Sequence, residues 1–107
     1  MLPSLDALAV LDAIDRRGSF AAAADELGRV PSAITYTVRR LEEALDVLLF
    51  DRRGHRARLT PAGRELVAAG RLLLEDADAL ARRVRRVATG WESELTVAVD
   101  TIVPRSR

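Results

Sequence analysis

The sequence predicts a mainly α fold with a small β-hairpin wing: a winged helix-turn-helix continued by one long helix. Three observations predict it. Two helix-like segments are joined by a turn at Gly28. Two short segments then flank the turn Arg53-Gly54-His55. After Thr60-Pro61, apolar and small residues recur seven apart as far as Val87.

The first helix is expected over Ser4 to Arg17. Ser4 serves as N-cap, Asp6 lies in the first turn, and Leu5, Leu8, Leu11 and Ile14 recur at three-residue steps, which gathers them on one face. Gly18 ends it. Ser19 caps a second helix, Phe20 to Leu27, whose run Ala21 to Ala24 is small enough for another helix to cross closely. A third helix runs from Pro31 or Ser32 to Leu45. Two helices joined by a short turn with a Gly match the helix-turn-helix signature. Leu48 to Arg52 and Arg56 to Leu59 read as a hairpin. Thr60 caps the long helix and Pro61 occupies its first turn, with Gly90 expected to stop it after Thr89. Leu95 to Val99 reads as a single strand. One strand cannot fold alone, so it is expected to be the severed start of a second domain. The domains expected are residues 1–59, the winged helix-turn-helix; 60–90, a linker and dimerisation helix; and 91–107, the start of a further domain.

Composition narrows the function. Of 107 residues, 49% are apolar, enough to bury a core, yet no apolar run is long enough to span a bilayer. Met1-Leu2-Pro3-Ser4 carries no basic segment followed by an apolar one, so no signal peptide is expected. There is no Cys and one His, which argues against a thiolate or His-based metal site. No acid pair, nucleophile–base set or glycine-rich phosphate loop is evident, so neither an enzyme nor a cofactor is expected. The net charge is only +1, but from Gly28 to Thr60 seven Arg face four acids. A basic pole on a near-neutral chain suits a partner that meets one face.

On the third helix, Ile34, Val38, Leu41 and Leu45 fall in one narrow sector and form the core face. Ser32, Tyr36, Arg39 and Arg40 lie opposite, with Ala33 and Thr35 at the edges. Arginine grips guanine or phosphate, hydroxyls reach bases or phosphates, and small groups meet the thymine methyl. The same pattern also fits an ordinary solvated helix. The hairpin strengthens the nucleic-acid reading. Arg52, Arg53, Arg56 and Arg58, with His55, concentrate charge on this short hairpin, and a tip carrying arginine suits a narrow minor groove, which attracts it. Arg52 is placed to reach a phosphate along the domain edge, and His55 is a phosphate neighbour or a bystander.

Along the fourth helix, Leu66, Leu73, Leu80 and Val87 form one series, and Gly63, Gly70, Ala77 and Val84 a second, offset by four. Together they make a heptad seam whose small residues let a partner backbone approach. A second copy of the chain is the expected partner, through Leu66, Gly70, Leu73, Ala77, Leu80, Val84 and Val87. Packing on another domain or on the first helix is the alternative.

Gly18-Ser19-Phe20, the Ala23-Ala24 pair, Leu27, Arg39-Arg40-Leu41-Glu42, Leu49-Phe50 followed by Arg52, and Leu59-Thr60 with Ala62-Gly63 together resemble the N-terminal domain of LysR-type transcriptional regulators. The match runs from about residue 4 to 90 without gaps. The resemblance implies a recognition helix in the major groove, a wing at the minor groove, and a dimer or tetramer joined by linker helices. A bacterial, cytoplasmic, nucleoid-associated protein is expected, and because dimer symmetry sets two recognition helices on two half-sites, so is an operator that is an interrupted inverted repeat. The resemblance implies a C-terminal effector domain as well, whose first strand Leu95 to Val99 resembles. With so little of that domain, no small-molecule effector is expected to bind this chain. The sequence departs from the family at Arg29, Val30 and Pro31, where an apolar residue, a Ser cap and a Gln are usual. Tyr36 stands where Arg is common, so different operator bases are expected. The competing reading is a winged-helix protein-interaction module on a coiled-coil scaffold. The outward arginines of helix and hairpin favour DNA.

Overall fold

The computed structural model describes residues 2–51, 53–54 and 56–99, with only the backbone of 92–99. Its elements are α1 (Leu5–Arg17), α2 (Phe20–Leu27), α3 (Pro31–Leu45), β1 (Phe50–Asp51), β2 (Arg58–Leu59) and α4 (Pro61–Val99). The chain divides into a head, ending at Leu74, and a second unit from Glu75. The head therefore reaches beyond the 59/60 boundary expected from sequence.

Capping fixes the start of each head helix. The Ser4 hydroxyl accepts the Ala7 N–H at 3.0 Å and the Ser19 hydroxyl accepts the Ala22 N–H at 3.0 Å, each satisfying a donor with no partner inside its helix. Gly18 and Gly28 end α1 and α2 in the left-handed region, at φ 85° and 67°, where a side chain is disfavoured. Val30 precedes α3 with no side-chain cap, and Pro31, lacking an N–H, opens that helix.

The core gathers Val10, Leu11, Ala13 and Ile14 of α1, Ala23 and Ala24 of α2, Ile34, Val38 and Leu41 of α3, Leu49 before the wing, Phe50 of β1, and Val67 of α4. The buried face of α1 is wider than the three-residue steps suggested, since Ala7, Val10 and Ala13 join it while Leu5 stays half exposed. Phe20 meets Phe50 edge-on, with ring centroids 5.3 Å apart, and so couples α2 to the hairpin. In the hairpin, Phe50 pairs with Leu59 and Asp51 with Arg58, antiparallel.

Within the head, α4 packs through small residues. A Cβ on Gly63 would overlap the Leu49 carbonyl oxygen, and one on Gly70 would lie 3.0 Å from Leu8 Cδ2. Leu66 is half-buried against the same core. Leu66 and Gly70, expected in a seam with a second copy, are thus placed against the head itself. The small residues admit the chain's own backbone.

The far end of α4 departs from what the sequence predicts. Gly90 does not stop the helix, and Leu95–Val99, expected as a strand, is helical. A glycine inside a helix costs only about 1 kcal/mol relative to alanine, and no proline follows before Pro104. A lone strand leaves its N–H and C=O groups unpaired, whereas a helix pairs them internally.

Candidate nucleic-acid interface

Burial of Ile34, Val38 and Leu41 fixes the rotation of α3. Ser32, Tyr36, Arg39 and Arg40 are consequently exposed, and Ala33 and Thr35 are half-buried at the edges of that face. Tyr36 is 63% exposed for a large aromatic side chain. The Arg40 guanidinium lies over its ring, with Cζ 5.9 Å from the centroid, within reach of a cation–π attraction. Thr37 is turned inward, its hydroxyl donating to the Ala33 carbonyl at 3.0 Å. The face thus offers hydroxyls, one ring and two guanidinium groups from a rigid helix.

Glu42 stands in the stretch Arg39-Arg40-Leu41-Glu42 that carries the family resemblance, but sequence alone assigned it no role. It is buried, and its Oε2 accepts the Leu49 N–H at 2.7 Å. A carboxylate on α3 thereby holds the backbone that enters the wing. The available signal was its place one residue past Leu41, beside the apolar sector.

The wing is tied at three points. The Ala57 N–H donates to the Gly18 carbonyl at 3.4 Å, and the Thr60 N–H to the Leu49 carbonyl at 3.0 Å. The Thr60 hydroxyl donates to the Leu48 carbonyl and accepts the Gly63 N–H, so one side chain closes the hairpin and caps α4. At the tip, Arg53 folds back on Asp51, with Nη2 2.6 Å from Oδ2. The Arg53 side chain, followed by its backbone N–H, holds the Asp51 carboxyl down at about 2. Arg53 is therefore exposed but partly neutralised. Arg56 is exposed too, and its guanidinium lies against the bare face of Gly18. Arg52 and His55 lie outside the described residues.

These parts converge. Ser19, Phe20, Thr35, Phe50, Gly54 and Arg56 line a groove of about 290 Å³ between the start of α2, the recognition face of α3 and the wing. Thr35 and Arg56, singled out separately from sequence, border the same space. Arg39 faces a different hollow, beside Glu43 and Asp46.

A helix-turn-helix with an outward polar recognition helix and a hairpin beside it defines the class of winged helix-turn-helix DNA-binding domains. Within that class, residues 5–64 match the family described as bacterial regulatory helix-turn-helix protein, lysR family, and the chain belongs to it. This is a family of regulators and not of enzymes. The chain is 60% identical over 101 residues to the probable HTH-type transcriptional regulator YhaJ of Escherichia coli (strain K12), covering 94% of this chain and 34% of that protein. It spans about a third of the length of the curated relatives it matches. The crystal structure of the BenM DNA-binding domain with catB site 1 DNA superposes with a TM-score of 0.77 at 27% identity, covering 79% of this chain and 96% of that one. The CbnR DNA-binding domain in complex with DNA gives 0.73 at 34% identity, covering 79% and 98%.

Proposed function

We propose that this chain is the operator-reading part of a LysR-type transcriptional regulator, binding double-stranded DNA as a homodimer. One observation carries the reading: α3 buries Ile34, Val38 and Leu41 while presenting Ser32, Tyr36, Arg39 and Arg40, flanked by Ala33 and Thr35, beside the wing. The α3 face enters the major groove, which admits one helix and carries a distinct pattern for each base pair. The wing, with Arg52, Arg53, His55 and Arg56, lies over the adjoining minor groove or backbone.

A second copy joins through the exposed part of α4. Leu73 and, in the second unit, Leu80, Val84 and Val87 are each at least half exposed, with Ala77 half-buried among them in sequence. Two related heads then require half-sites about one helical turn, roughly 34 Å, or a multiple of it, apart, hence an interrupted inverted repeat. In a longer protein, residues 91–107 lead towards an effector domain, and dimers pair as tetramers. The chain itself binds no small-molecule effector, and it acts in the bacterial cytoplasm at the nucleoid. Among the described residues no helix is long and apolar enough to cross a membrane.

The test is selection of bound sequences from a random duplex pool, followed by titration at several salt concentrations. The expected result is an inverted repeat bound with an affinity that falls steeply with salt, because phosphate contacts release counterions. Recovery of no common sequence would refute the reading.

A further inference from the structure

Besides the groove at the recognition helix, the head has a wider hollow of about 760 Å³ between the end of α1, β2 and the first turns of α4. Four arginines line it, Arg56, Arg58, Arg64 and Arg71, against one acid, Asp15. Its charges do not cancel. Arg71 is held by Asp12 and by Asp15, the latter at 2.9 Å, so Asp15 is already paired. Asp51 lies opposite Arg58 in the hairpin register but is held by Arg53. Arg64 gives one N–H to the Leu59 carbonyl at 3.2 Å and keeps its other donors. Arg56, Arg58 and Arg64 thus make no ion pair with a carboxylate among the described residues.

We propose that Arg56, Arg58 and Arg64 form a second phosphate-backbone site, which takes the duplex running past the wing. The proposal rests on the DNA-binding reading above and extends it from Arg56 of the wing to Arg58 of β2 and Arg64 at the start of α4. Guanidinium groups match phosphate oxygens with paired donors and are weakly hydrated, so they suit a phosphodiester chain. Continuity selects DNA over other anions. Arg56 and Ala57 border both this hollow and the groove lined by Thr35 and Ser19. Arg56 stands at the junction, its Nη2 2.9 Å from where a Cβ on Gly18 would lie. A strand contacting the wing therefore passes from Arg56 on to Arg58 and Arg64 without leaving a basic surface. Leu59, Val67 and Ala68 supply an apolar floor on which sugar faces can rest.

The experiment uses the whole chain and a duplex carrying the selected operator with long flanks on both sides. Phosphate-ethylation interference is mapped for the parent, for Arg58→Ala/Arg64→Ala, and for Arg58→Lys/Arg64→Lys. The alanine variant is expected to lose interference at phosphates next to those of the wing, while the bases read by α3 stay the same. Its plot of log affinity against log salt should flatten by about two for each head, one for each phosphate contact removed. The lysine variant should recover that slope, which separates loss of charge from damage to the fold. An unchanged phosphate pattern in the alanine variant overturns the proposal and leaves the hollow to an acidic protein segment or a free anion. Altered base preference overturns it too, because the arginines would then act through α3 or the wing. Failure of the parent to bind any duplex would instead remove the DNA-binding reading and this proposal with it.

Discussion

At Glu42 one carboxylate governs the passage from recognition helix to wing. It is buried and accepts the Leu49 N–H at 2.7 Å. In Glu42→Ala that N–H loses its acceptor away from water, at a cost of about 1–3 kcal/mol. Urea unfolding should show a lower midpoint, and Glu42→Gln, which keeps an oxygen, should lose less. Sequence counted Glu42 among the acids of a basic stretch, because the position of the Leu49 amide is a tertiary fact. By contrast, Ser32, Tyr36, Arg39 and Arg40 were legible, since helical rotation follows from the apolar positions alone. At the wing, residue type predicted charge but not pairing. Arg53 donates to Asp51, whose carboxyl sits at about 2 and stays ionised at neutral pH. Asp51→Asn should therefore free Arg53, raise duplex affinity and steepen its salt dependence, as fluorescence anisotropy at several salt concentrations can measure. Unchanged affinity would mean that Arg53 makes no contact with DNA.

Between elements, ion pairs and small residues set how α4 lies on α1 within the head. Arg71 donates to Asp12 and Asp15 from α4, and Arg16 links Asp12 to Glu26 of α2. Burial pushes the Asp12 carboxyl up, but the hydrogen bonds from Arg16 and Arg71 outweigh it and leave it below the ordinary value. Glu26 is lowered, chiefly by Arg16. A depressed carboxylate stabilises the fold above its unfolded value, near 4, and that contribution is lost as pH falls through the lower folded value. The urea midpoint should thus hold from pH 7 to about 5 and drop below about 4. Arg71→Ala should lower it at pH 7 but make little difference once the carboxylates are protonated. Gly63→Ala should destabilise at every pH, since its Cβ would meet the Leu49 carbonyl backbone, with a cost of about 1–3 kcal/mol. The order of helices and hairpin was legible from caps and turns. The end of α4 was not, because Leu95-Thr96-Val97-Ala98-Val99 has strand-like composition, whereas whether it pairs as a strand is settled by tertiary partners, and no strand among the described residues pairs with it. Nor did heptad spacing show that Leu66 and Gly70 face the head, because one period serves an internal contact and an external one equally.

At the scale of the whole molecule, the second unit of α4 leaves large apolar side chains exposed. Leu80, Val84, Val87 and Trp91 are spaced by four, three and four residues, and each is at least half exposed. That spacing gathers them on one face of a helix, and a helix presenting an apolar stripe to water is stabilised by covering it, at about 25 cal/mol for each Å² removed. Leu73, half exposed at the end of the head, continues the same heptad register in sequence. In the homodimer proposed above, two copies of the stripe would cover each other, since a two-fold axis sets one patch against its twin. Leu73→Glu/Leu80→Glu should then leave the head folded, because neither side chain belongs to its core cluster, while sedimentation should report a monomer. The DNA consequence separates this seam from a merely structural one. A monomer carries one recognition helix, so it should bind a single half-site about as well as a parent protomer does. It should lose the gain that the parent shows on the complete inverted repeat. If the doubly substituted chain still sediments as a dimer, the two copies meet elsewhere. If it is monomeric yet keeps its preference for the full repeat over the half-site, the repeat is not read by paired heads.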